Sequence, residues 1–321
     1  MDIVKFLKNW TLPVAIVTGT LVYLVFAFVP QLDGAAHFFA PIMQEILPLF
    51  MFVTIFIVFC KIDYSRLRIV KWHLWVSAFQ TLTVLLFTWL VVEFGLTGRP
   101  LVLVESLLVC VIGPCASAAA VVTAKLGGDL EEMTTYTFLS NLVTAIFVPI
   151  CFPIIDKAAD ISFLSAFSII LWRVATVLVL PMGLAWVVKH TMKRFHAWVT
   201  GVKDLSYYSW AASLLIVSGT TVRNIVHAQT TVGFICVIAV TGLMLCVVQF
   251  GVGRFIGHFF GSTTSAGQAL GQKNTAFAIW IASVYLNPLS TVGPGCYVLW
   301  QNIINSIEIW MCRRKGMLRD S

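Results

Sequence analysis

Gly113-Pro114-Cys115-Ala116-Ser117-Ala118-Ala119-Ala120 interrupts one long apolar run, Leu101–Ala124. Gly267-Gln268-Ala269-Leu270-Gly271-Gln272-Lys273-Asn274 interrupts another, Phe255–Leu286. The first break carries a proline, which supplies no N–H and clashes with the preceding helical turn. The second gathers three polar residues, Gln272, Lys273 and Asn274, behind Gly271. Each run is long enough to cross a bilayer core, which takes about 20 apolar residues. Broken helices expose backbone groups at mid-membrane, and a pair of them at corresponding places is the sequence pattern of a transporter binding site.

Eight further runs of comparable length surround these two: Trp10–Val29, Phe38–Cys60, Leu74–Val92, Met133–Ile155, Ile161–Val188, Leu205–Val222, Thr230–Gly253 and Val292–Cys312. The expectation is an all-α polytopic membrane protein of ten transmembrane helices. The connectors are short and leave no room for a soluble domain. The outer connector Asp156–Asp160 divides the chain into repeats 1–155 and 161–321 of five spans each. Five is odd, so the second repeat is inverted relative to the first, and the broken fourth and ninth helices fall at matching places.

Orientation follows from the basic residues of the connectors. On one side lie Lys5 and Lys8, the 61–71 group, Lys125, the 189–203 group, Arg254 and the 313–319 group, against Arg99, Lys157 and Arg223 on the other. Both termini are therefore expected in the cytoplasm, of a bacterial inner membrane. Composition agrees: 59% of the residues are hydrophobic and only 11% charged, where soluble domains carry about 25%. The net charge of +7 is strung along connectors with no basic face, which excludes nucleic acid as a partner and leaves membrane lipid. The eight cysteines have no C-x-x-C spacing and read as packing residues, so no metal or other cofactor is expected. Intramembrane catalysis lacks its motifs: no G-x-S-x-G, no H-E-x-x-H and no pair of mid-span aspartates.

The residues at the breaks resemble the bile acid:sodium symporter family. Gly113-Pro114 with its small residues, Gly127-Gly128-Asp129, Gly271-Gln272-Lys273-Asn274-Thr275, and Asn287-Pro288-Leu289 with Val298-Leu299-Trp300-Gln301-Asn302 carry the resemblance. It implies ten spans in two inverted repeats with crossing fourth and ninth helices, and transport of an organic anion by alternating access. It also implies two sodium ions beside the crossing, and there the sequence departs. The family's ninth-span pattern is Glu-x-Gly-x-Gln-Asn, whose Glu and Gln ligate sodium. Here Ala269 replaces the carboxylate and Lys273 the glutamine. The ligating Ser-Asn pair of the fourth span aligns with Ala119-Ala120, and one fifth-span hydroxyl with Met133, while Thr137 and Gln80 remain. Methyl groups do not ligate a hard cation, and an ammonium repels one, so sodium coupling is not expected. Lys273 would replace the bound ion, and an ionisable amine at mid-span can link substrate binding to protonation.

Two roles are open to Lys273: a charge that receives an anionic substrate, or a structural ion pair locking the crossover, with Glu45 or Glu105 as partner. Gln272 and Asn274 either ligate solute or cap freed backbone. Thr137, Ser140 and Asn141 share one helix face and either bond a neighbouring helix or contact solute. Arg173 is expected to be paired, and Glu308 to be a solvated helix end. The candidate substrate and ion site is therefore Lys273, Asn274, Gln272, Gly271, Pro114, Cys115, Ala119, Ala120, Thr137, Asn141 and Gln80. The expected substrate is a bile-acid-like or smaller carboxylate. An arsenite-type, proton-coupled exporter using Cys115 and a sodium symporter with altered ligands are the alternatives.

Overall fold

A computed structural model describes residues 11–155, 162–202, 205–227 and 230–314. The basic residues Lys5, Lys8, Lys157, Lys203, Lys315 and Arg319 and the connector 156–160 lie outside them. The described residues are helical: α1 Thr11–Phe28, α2 Asp33–Cys60, α3 Lys71–Glu93, α4 Gly98–Ile112, α5 Ala119–Lys125, α6 Leu130–Ile155, α7 Phe163–Val174, α8 Leu180–Thr191, α9 Lys193–Gly201, α10 Leu205–His227, α11 Val232–His258, α12 Thr263–Gly271, α13 Thr275–Tyr285 and α14 Val292–Arg314. One π-turn, Ala175–Val179, joins α7 to α8. Among the described residues the only β-pairing is a single antiparallel bridge, Cys115 with Lys273.

Five helical stretches are long and apolar enough to cross a membrane: Pro41–Cys60, Lys71–Glu93, Leu130–Ile155, Phe163–Thr191 and Val232–His258. Pro13–Phe28 and Thr275–Tyr285 are apolar but shorter. The other expected spans miss that measure for physical reasons. The fourth and ninth are split into pieces, and α14 is diluted by Gln301, Asn302, Asn305 and Glu308. Leu82 and Trp172 are 66% and 75% exposed on the long helices; apolar side chains turned outward in this number require a bilayer as solvent. The chain is an all-α integral membrane protein.

Two boundaries differ from expectation. The charge at Arg254 does not end its helix. α11 continues to His258, and the chain turns at Gly261, whose φ of +72° suits glycine. The ninth segment therefore starts at Thr263, not Phe255. The expected 189–204 connector contains a helix of its own, α9.

The chain divides into two compact units, Met1–Lys61 with Leu180–Gln229, and Ile62–Val179 with Thr230–Ser321. In the first, α10 packs on α1 and α2, and α2 packs on α8. The α1–α10 contact is close because Gly19 lies against the Leu215 carbonyl, leaving no space for a side chain. The second unit holds both broken helices. Its tightest seam is the α11–α12 hairpin, where Gly253 faces the α12 backbone and Gly257 the Ser262 carbonyl just before it, while Gly267 and Gly271 face the Arg254 side chain and the Phe250 ring. Glycines four apart on each helix let the two helices approach closely, with the α12 pair making room for Arg254 and Phe250 of α11.

Candidate functional site

The site grows out of the chain's need to satisfy backbone groups freed at the two breaks. Pro114 ends α4, and the last carbonyls of that helix lose their intrahelical donors. Every one from Val109 onward is met. Val109 accepts from Gly113 N–H at 3.2 Å, and Cys110 from Gln249 Nε2 at 3.4 Å. Val111 accepts from Lys273 Nζ at 2.9 Å, and Ile112 from Thr144 Oγ1 at 2.7 Å. Gly113 accepts from Gln80 Nε2 at 3.4 Å. The donors come from α3, α6, α11 and the second break, so the end of α4 is held from all sides.

The second break has no proline and is set from outside. Lys273 N–H turns away from α12 and donates to Gln301 Oε1 at 2.8 Å, while Gln301 Nε2 donates back to the Lys273 carbonyl at 3.2 Å. Gly271 offers its carbonyl to the Tyr297 hydroxyl at 2.8 Å. Asn274 starts α13 by accepting from Phe277 N–H at 3.2 Å. The two breaks then pair with each other: Ala116 N–H donates to the Gln272 carbonyl at 3.0 Å and Asn274 N–H to the Pro114 carbonyl at 2.8 Å. The interruption is Gln272–Asn274, narrower than the expected Gly267–Asn274; both glycines remain helical and serve packing.

The partners repeat across the bridge. Cys115 N–H donates to Ser140 Oγ on α6 at 2.8 Å, as Lys273 N–H does to Gln301 on α14. Ser140 and Gln301 each stand four residues after a tyrosine that pairs with a glutamine: Tyr136 with Gln80 at 3.2 Å, and Tyr297 with Gln249 at 2.9 Å. Further on, Asp129 N–H donates to Ser265 Oγ at 3.1 Å and Asn287 N–H to Glu105 Oε2 at 3.2 Å.

Lys273 is 1% exposed, and among the described residues no carboxylate is within ion-pair distance of it. Glu105 is buried, but its Oε2 accepts from Asn287 N–H and, at 2.5 Å, from Ser290 Oγ. Glu45 is exposed and belongs to the other unit. The ammonium instead sits at the carboxyl end of α4, where the aligned peptide dipoles present partial negative charge.

The positions aligned with sodium ligands converge. Ala119, Met133 and Ala269 are buried in one apolar cluster with Cys115, Tyr136 and Leu270, and Ala120 packs against it. The Thr137 hydroxyl donates to its own helix at the Met133 carbonyl, 3.0 Å, and Asn141 Nδ2 to the Thr137 carbonyl, 3.0 Å. Gln272 Oε1 is buried with no donor among the described residues, an acceptor left open at the crossing.

Two expectations are corrected. Glu308 is no solvated end; it is 5% exposed, ion-paired with Arg254, and accepts from Gln268 Nε2 at 2.9 Å. Arg173 is exposed and has no ion pair among the described residues. The cap donors Gln249, Tyr297 and Thr144 are not picked out individually by sequence reasoning, whereas Ser140, singled out there with Thr137 and Asn141, accepts from Cys115 N–H. A glutamine alone in the uncharged run 230–253 was the available signal for the first.

Residues 48–253, well over half of the chain, match the family described as the Sodium Bile acid symporter family. The chain belongs to that family. Comparison with curated proteins gave no match. Membership makes the protein a transmembrane transporter. The matched stretch covers the first break and most of α11 but stops short of α12, so Lys273 and its partners on α14 lie beyond it.

Proposed function

We propose that this member of the Sodium Bile acid symporter family is a secondary active transporter of an organic anion that works by alternating access without sodium, with the Lys273 ammonium in the place of a bound cation. One observation carries the reading: Lys273 Nζ caps the Val111 carbonyl, at the end of a broken helix, where transporters of this construction hold a cation. The buried methyl groups of Ala119, Ala269 and Met133 support it, since they leave no oxygen ligands where the family has them. A fixed positive charge beside the open Gln272 acceptor suits a carboxylate or sulfonate, of the bile-acid or small-acid class. Protonation of Lys273 supplies the coupling.

The ten-span, inverted-repeat arrangement belongs to the same proposal. The matched hydrogen bonds of Cys115 and Lys273, of Gln80–Tyr136 and Gln249–Tyr297, and of Asp129 and Asn287 are what a pseudo-two-fold through the bridge produces. Residues 1–61 of the first repeat and 180–229 of the second fall in one unit, and the rest of both repeats in the other. Cytoplasmic termini, which the connector charges support, and a bacterial inner membrane belong to the same proposal.

The test is ion replacement in proteoliposomes containing the purified chain. Uptake of taurocholate and pantoate, and thermal stabilisation by each, are expected unchanged when choline replaces sodium. A saturable sodium requirement would overturn the proposal.

A further inference from the structure

The helix α9, Lys193–Gly201, presents a surface that the transport site does not use. One side of it is fixed to the protein: Val199 is 2% exposed, and His196 Nε2 donates to the Cys60 carbonyl at 2.8 Å. The other side is apolar and basic together. Trp198 is 61% exposed and Met192, just before the helix, 53%. The Phe195 and Trp198 rings stack at 5.7 Å, and Lys193 and Arg194 are exposed with no ion pair among the described residues. No Asp or Glu occurs anywhere from 181 to 203.

We propose that α9 is a binding surface for anionic phospholipid headgroups. The protein holds one side of this nine-residue helix, and the open side presents apolar rings and two cations together. A zwitterionic lipid surface would take the aromatic rings but leave two cations without counter-charge. Free phosphate would answer the cations but leave Met192, Phe195 and Trp198 in water. An anionic phospholipid does both: Trp rests at the headgroup boundary and Lys and Arg reach the phosphates. The helix also lies in the connector that its Lys and Arg content assigns to the inner side, where anionic lipid acts on juxtamembrane basic segments. Because His196 ties α9 to the end of α2, a bound lipid would brace that end of the first unit.

The test uses the full chain in phosphatidylcholine nanodiscs, titrated with phosphatidylglycerol, with retained lipid read by native mass spectrometry and stability by thermal melting. The parent is expected to retain phosphatidylglycerol in preference to phosphatidylcholine and to melt higher with it. Lys193→Gln/Arg194→Gln should weaken that retention by about 30-fold, the combined attraction of two cations near an anionic surface, with the melt in pure phosphatidylcholine unchanged. Trp198→Ala should weaken retention of both lipids. Should the double neutral variant fail to fold, Lys193→Arg/Arg194→Lys decides by keeping full retention. The proposal is overturned if the parent shows no preference, if the neutral variant retains phosphatidylglycerol like the parent, if the charge-keeping swap loses it, or if glycerol 3-phosphate stabilises equally well.

Discussion

Replacing Lys273 by glutamine separates its two roles, because glutamine removes the charge and still offers a donor, one bond shorter, towards the Val111 carbonyl. Lys273 Nζ lies 2.9 Å from that carbonyl, in a place 1% exposed to solvent. Exchanging a charged donor for a neutral one costs about 1 kcal/mol. Removing a buried charge that lacks a carboxylate partner acts in the opposite direction. The folded protein should therefore melt within a few degrees of the parent. The effect on an anion is larger. A carboxylate ~4 Å from the ammonium gains ~4 kcal/mol at an effective dielectric of ~20, and about half of that if water shares the cavity. The expected loss of taurocholate or pantoate affinity is thus between about 30-fold and 1,000-fold. Calorimetry across pH is the assay. The parent should bind more tightly as pH falls, since the protonated amine is the form that attracts the anion, and Lys273→Gln should bind weakly with a flat profile. Sodium should not rescue it, because Ala119, Ala269 and Met133 still offer no ligands. Normal affinity with the parent's pH profile would reduce Lys273 to a cap for α4.

Gln301→Leu should lower the melting temperature by a few degrees, since it leaves the buried Lys273 N–H without its partner, at about 1–3 kcal/mol, while the Lys273 carbonyl keeps the Thr275 N–H; Gln301→Glu, which keeps the acceptor, should lose less. Gly271→Ala pushes a methyl group into the Phe250 ring and should cost about 1–3 kcal/mol, read by thermal melting and recovered on adding Phe250→Leu. A cysteine replacing Ala158, in a background without accessible cysteines, should react with an impermeant thiol reagent from outside, whereas one replacing Met317 should not; the reverse pattern would invert the topology.

The helices and the first break were legible in the sequence because their causes are local. Apolar run length specifies a span, and Pro114 breaks α4 wherever it is placed. The second break has no such cause. Gln272–Asn274 is non-helical because Gln301 and the opposing Pro114 and Ala116 claim its main chain, and those partners are distant in sequence. The same distance hid the partner of Lys273. A charge suggests an opposite charge, and Glu105 and Glu45 were the visible choices. The actual partner is a backbone carbonyl, which every residue possesses and no residue name reveals. Glu308 was misread for a related reason. Four residues before Cys312, near the end of its span, it looks solvated, yet the α11–α12 hairpin brings Arg254 and Gln268 over it. What sequence did mark, through the departures at Ala119, Ala120, Met133 and Ala269, was a set of positions that meet in space.

That convergence bears on how such a transporter could be driven. A bound sodium ion enters and leaves, so its gradient can do work on the substrate; a lysine remains attached in every state. If Lys273 stands where a cation would, what can change during a cycle is its proton, its substrate, or both. The bridge pairs Lys273 with Cys115, and Cys115 lies in the apolar cluster to which α5, α6 and α12 contribute Ala119, Met133 and Ala269. Concentrative transport would require protons or a counter-moving anion, and the two separate cleanly. An imposed pH gradient alone drives accumulation in the first case, whereas in the second it does nothing until the vesicles are loaded with an anion to exchange.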